Sequence, residues 1–134
     1  MVGISRRDQR GASLSVFVIV VFAALILVAG LVIDGGQKVT ATRRAEAIAV
    51  AAARAGADAG STNSIAGRPA GGTAVAAAQA YLRGTPEVYG TVTVRGNQVM
   101  VTTEVRQRTI FLSVLGINWM TGRGESVQEV RSTP

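Results

Sequence analysis

One long stretch of this chain lacks charge, and the rest is peppered with it. From Gly11 to Ile33 the sequence reads GASLSVFVIVVFAALILVAGLVI, without a single Asp, Glu, Lys or Arg. Fifteen of those positions are Leu, Ile, Val or Phe, so a helix here is apolar on every side. Such a helix belongs in the core of a large protein or in a bilayer. After Asp34 and Gly35-Gly36 the pattern changes. At 100° per residue, QKVTATRRAEAIAVAAARAGADA gathers Lys38, Arg43, Arg44, Glu46, Arg54 and Asp58 on one broad side. The opposite stripe holds Ala41, Ala45, Ile48, Ala49, Ala52, Ala55, Gly56 and Ala59 with no charge, which predicts an amphipathic, Ala-rich helix over 34–59. If the glycine pair does not interrupt it, this helix prolongs the apolar one as a single rod.

Residues 60–72, rich in Gly, Ser, Thr and Asn and containing Pro69, read as a loop. Thr73 then caps a short helix, TAVAAAQAYLR, which Gly84 ends and Pro86 keeps from resuming. A β-hairpin follows over 87–106, turning at Gly96-Asn97 as a two-residue, Gly-first loop. That register sets Val88 opposite Val105, Val92 opposite Val101 and Val94 opposite Val99 on one face. The other face sets Thr91 against Thr102 and Glu87 against Arg106. The apolar run from Ile110 to Ile117 is too short to span a bilayer and is expected against the sheet or near the membrane surface. Ser126 to Arg131 reads as a third strand. A hairpin alone is marginal, so its valine face needs a cover, and the Ala-rich helix supplies one. The region 73–134 is therefore a small α+β unit.

Taking Ala12 to Ile33 as the span gives a helix of about 33 Å, against a hydrocarbon thickness of about 30 Å. The transfer of its large apolar side chains favours insertion by several kcal/mol, at roughly −0.3 to −0.6 each near the bilayer centre. A buried core helix is excluded because the remaining chain has too little apolar surface to wrap it. A cleavable signal peptide has a shorter apolar region and a small-residue cleavage site, to which Val28-Ala29-Gly30 is a poor match. Arg6, Arg7 and Arg10 precede the run within a short tail, and Asp34 follows it. This asymmetry keeps the stub 1–11 in the cytoplasm and places the rest beyond a cell membrane crossed once.

Composition changes this picture little. The 134 residues are 48% hydrophobic but only 4% aromatic, with 14 basic against 8 acidic side chains. The cations are all arginine except Lys38, scattered singly or in pairs and nowhere interleaved with stacking aromatics, so nucleic acid is not an expected partner. Cysteine and histidine are absent, which removes disulfides, soft-metal ligands and the commonest general base. No phosphate loop surrounds Lys38, and Gly122-x-Gly124 reads as a turn. A Ser–Lys nucleophile would have only Lys38 to draw on. Glu87 is expected to pair with Arg106, and Glu104 to face Tyr89. The chain is thus read as no enzyme, with no cofactor, no metal and no small-molecule substrate. Asp34 either marks the end of the span or contacts a neighbouring subunit. The small residues Ala41, Ala45 and Ala49, four apart, suit either packing within the chain or an assembly seam.

The segment RGASLSVFVIVVFAALILVAGLVIDGGQKVTATRRAEAIAVAAARAGA, Arg10 to Ala57, resembles the TadE/TadG-like proteins. These are pilin-related accessory components of tight-adherence (Flp-type) pilus systems. The matching features are Arg10-Gly11, the apolar helix, Gly30-x-x-x-Asp34-Gly35, and Arg43-Arg44 entering an Ala-rich helix. More loosely, the valine hairpin and FLSVLGI before a last strand fit as well. The resemblance implies a pilin-like α+β domain on a long N-terminal transmembrane helix, working in pilus assembly or secretion beside other pilin-like or assembly-platform proteins. It also implies prepilin-type processing between Gly11 and Ala12. Many such prepilins carry a glutamate five residues past the cut, where this chain has Val16. Uncut, it would stay a membrane-anchored assembly factor. The other reading is a single-pass envelope protein with another structural or regulatory role.

Overall fold

The computed structural model describes residues 9–132. Arg6 and Arg7, which set the expected orientation, lie outside the described residues. The first element is one unbroken helix, α1 (Gln9–Ile65), 57 residues long. At 1.5 Å per residue it is about 86 Å from end to end. Gly35 and Gly36 do not break it, although each glycine costs a helix interior about 1 kcal/mol relative to alanine. Contacts on either side of the pair, at Asp34 and at Ala41, clamp the rod to the rest of the fold. Its amino-terminal part is long and apolar enough to cross a membrane, and the large side chains from Leu14 to Ile33 are exposed.

The expected loop 60–72 is shorter than read, because α1 runs on to Ile65. Gly60 is buried against Val130, and the hydroxyls of Ser61 and Thr62 donate back to the carbonyls of Ala57 and Asp58. The small and hydroxylated residues that mark a loop serve here for close packing and local bonding. Helix α2 (Gly71–Arg83) starts earlier than expected, and its N-cap position, Ala70, makes no side-chain hydrogen bond. Thr73 is not the cap. It lies inside the first turn, where its hydroxyl accepts a hydrogen bond from the Asn63 amide. Gly84 terminates α2 as expected.

Three antiparallel strands follow in the order β1 (Val88–Arg95), β2 (Gln98–Arg108), β3 (Trp119–Glu129). The architecture is α+β, two helices packed on one sheet. The β1–β2 register is the expected one, Val88 with Val105, Val92 with Val101, Val94 with Val99 and Thr91 with Thr102. Gly96, at φ 59°, supplies the left-handed first turn residue. Glu87 does not pair with Arg106. It precedes β1 with φ 62°, which swings it out of the ladder to lie 4.0 Å from Arg44. Arg106 instead covers the Tyr89 ring at 5.5 Å. Glu104 does lie opposite Tyr89, and its carboxylate binds Arg123 of β3 at 2.7 Å.

The largest departure is β3. It begins at Trp119, seven residues before the expected Ser126, and Gly122-x-Gly124 lies in its middle rather than in a turn. Both glycines face α1. A Cβ on Gly122 would overlap the backbone of Ala41 and Thr42, and one on Gly124 the backbone of Ala45 and Glu46. The strand therefore lies directly on the helix backbone.

Val99, Val101 and Val105 of β2 form the inner face with Ala41, Ala45, Ala49, Ala52, Ala53 and Ala57 of α1 and Ala74, Ala78 and Leu82 of α2. The buried side of α1 is wider than the expected stripe. Ala53 and Ala57 join it and Ala55 and Ala59 are only half-buried, since both α2 and the sheet lean on this helix. Thr103, fully buried between valines, donates its hydroxyl to the Ala45 carbonyl at 2.7 Å. Thr103→Val keeps the volume and loses that bond. Chemical denaturation should show it less stable by about 1 kcal/mol.

Candidate functional site

The β2–β3 connection, residues 109–118, sits where the apolar part of α1 ends. It contains a single 3-10 turn, Leu112–Leu115, closed by Gly116 in the left-handed conformation at φ 85°. The Thr109 amide donates to the Asn118 carbonyl at 3.1 Å, and its hydroxyl donates to the Ile117 carbonyl. The amino end of the turn points its backbone N–H groups at α1, and there Asp34 receives them. Ile110 N donates to Oδ1 at 2.8 Å, while Phe111 N and Leu112 N donate to Oδ2 at 3.0 and 2.6 Å. One carboxylate thus satisfies the free donors of a turn 76 to 78 positions away.

Asp34 is fully buried. Burial by itself raises its pKa, but the three amide donors outweigh that effect and hold the carboxyl below its ordinary value. It is therefore an anion at neutral pH that accepts three amide hydrogen bonds. Because the folded value is the lower one, its stabilising contribution is complete above the ordinary carboxylate range. The contribution fades only as pH falls through the depressed value.

One turn earlier on the same side of α1, Gly30 is buried beneath Phe111. A Cβ on Gly30 would come within 2.5 Å of the Phe111 ring. Gly30, Asp34, Gln37, Ala41 and Ala45 thus make one continuous small or polar stripe that begins inside the apolar segment. Gly30 lies outside the stripe that the charge pattern predicts. Its signal is the spacing of four before Asp34, which puts both on one helical face.

The residues named as possible assembly contacts are turned inward. Ala41 is 3% exposed and Asp34, Ala45 and Ala49 are 0%, with partners that are all within this chain. In this fold the stripe packs against the sheet and α2, and Asp34 binds the β2–β3 turn. Gly11 and Ala12 lie near the start of α1, with Gly11 exposed and nothing near it.

The turn itself leaves its apolar side chains uncovered. Ile110, Val114, Leu115 and Ile117 face outward, with Val114 85% and Leu115 68% exposed, and Phe111 is partly covered by Gly30, so the run does not tuck against the sheet. At its edge Trp119 is exposed and the Arg108 guanidinium covers its ring at 5.2 Å. Among the described residues no group of three acidic, histidine or cysteine side chains could hold a metal ion. A depression on the α+β domain, between Arg54, Ser61 and Arg131, is open to solvent.

No family model matches the chain, and neither do any curated protein or solved structure. What fold and site define is an α+β unit whose spine is a long helix with an exposed apolar N-terminal part.

Proposed function

We propose that this is a non-enzymatic, single-pass membrane protein of a pilus-assembly or secretion system, similar to the TadE/TadG-like proteins. Its amino terminus is in the cytoplasm and its α+β domain lies outside. One observation carries the reading: the exposed apolar segment and the domain's central spine are the same helix, α1. A bilayer that takes up the segment therefore holds the domain rigidly at its surface, which suits a part that positions others rather than one that turns over substrate. Asp34 fits the non-catalytic reading: it is buried, and three backbone amides hold its carboxyl below the ordinary value, which makes it a weak base. The pilus assignment itself rests on the likeness of Arg10 to Ala57.

The absence of native cysteine makes single-cysteine labelling a clean test. Ser132→Cys should react with a membrane-impermeant maleimide in intact cells, and Ser5→Cys only after lysis. Recovery of the chain in the soluble fraction, or a shielded Ser132→Cys, removes the anchor reading. Deletion of the protein should abolish surface filaments. Normal filaments would leave the anchor standing and transfer the protein to another structural or regulatory role in the envelope. Intact mass of the membrane-extracted protein then decides the route: an Ala12 start marks filament entry, a Met1 start a resident assembly factor.

A further inference from the structure

We infer that the β2–β3 turn is a second membrane-contacting element, inserting Ile110, Phe111, Val114, Leu115 and Ile117 into the outer leaflet beside α1. The inference rests on the reading of α1 as a span and adds to it how the outer domain sits on the bilayer.

Phe111 packs on Gly30, three residues before the end of the apolar segment at Ile33. At 1.5 Å per residue, that places the ring about 4–5 Å inside the end of the span. If the segment fills the hydrocarbon layer, the turn cannot avoid entering it. This depth lies close to the 5–10 Å at which apolar faces of interfacial helices sit.

The chemistry of the turn agrees. Six of its backbone donors are satisfied internally: Ile110, Phe111 and Leu112 by Asp34, and Val114, Gly116 and Ile117 by carbonyls within the turn. Backbone that enters lipid must be satisfied in this way. From Ile110 to Ile117 the large outward side chains are apolar, with the exposed Asn118 following at the end of the connection, and the acid that caps the turn is sealed behind it. Trp119 and Arg108 follow at the next level along the strand, the pair expected among headgroups: an amphipathic ring, with a cation able to reach phosphate. Continuity with the apolar surface of α1 selects lipid as the occupant, because the two exposed surfaces meet at the Gly30–Phe111 contact.

Trp119 is the sole tryptophan, so the intact protein carries its own depth probe. The full chain would be reconstituted in phosphatidylcholine vesicles, either unmodified or brominated near the carbonyl end or near the tip of the acyl chains. Shallow bromines should quench Trp119 roughly twofold and deep ones much less, the pattern of an interfacial ring. A probe moved to the turn, Val114→Trp in a Trp119→Phe background, should be quenched at least as strongly. If neither probe is quenched while the protein resists alkaline extraction, the turn is out of the lipid; the inference fails and the span reading survives. Extraction by alkali would sink both. A blue-shifted but unquenched Val114→Trp that varies with protein density would mean that a second copy covers the turn, which also overturns the inference.

Discussion

Gly124→Val should abolish the folded α+β domain; on the proposed anchoring by α1, the protein stays in the membrane fraction. The inserted side chain would meet the backbone of Ala45 and Glu46, and a helix backbone cannot rotate aside as a side chain can. Overpacking a core typically costs 1–3 kcal/mol, and with rigid neighbours about 3 kcal/mol is the lower end here. A small domain has about 5–15 kcal/mol in all. Separation of β3 from α1 would also remove the Ala45 carbonyl from reach of Thr103. Limited proteolysis of the reconstituted protein reads the outcome, and resistance equal to wild type would refute the close approach of strand to helix. Gly36→Ala is the matched control: a Cβ there meets nothing within 4 Å, so removing a helical glycine should stabilise by about 1 kcal/mol.

Asp34→Ala is expected to free the turn at 110–115 without unfolding the sheet. Three backbone N–H groups lose their only acceptor in a buried place, whereas the valine–alanine core above is untouched. Amide hydrogen exchange at Ile110, Phe111 and Leu112 should accelerate by about tenfold or more, with little change at Val99 or Val101. Asp34→Asn should do nearly as badly. Its amide offers one acceptor where three donors converge, and its NH2 would face an N–H. Lowering the pH should reproduce the effect in the wild type, and only below the usual carboxylate range, since the folded form holds this pKa down. Unchanged protection of the three amides in Asp34→Ala would show that packing of Phe111 on Gly30 suffices to seat the turn.

These two sites share a feature that explains why neither was legible beforehand. Gly124 acts by having no side chain, and Asp34 acts on a segment far away in sequence. The run from Gly11 to Ile33 is unbroken by charge, and the Ala-rich face of α1 and the β1–β2 register repeat with the period of their own element. The turn at Gly96-Asn97 fixes its hairpin with a few contiguous residues. Such patterns are local, and the elements they predict are present in the structure. Glu87 was misjudged because its positive φ is set by the entry to β1 rather than by the alternation of the strand.

By itself, then, the sequence determined the apolar helix, its amphipathic extension, the α2 helix, the hairpin and its pairing, because periodicity and turn chemistry are properties of short stretches. Only the tertiary structure decided that α1 is continuous to Ile65, that β3 starts at Trp119 and lies on helix backbone, and that Asp34 caps the apolar turn. Those outcomes depend on which surfaces meet. A glycine that admits a neighbour looks the same in sequence as one that makes a bend, and a carboxylate carries no mark of the distant amides it will bind.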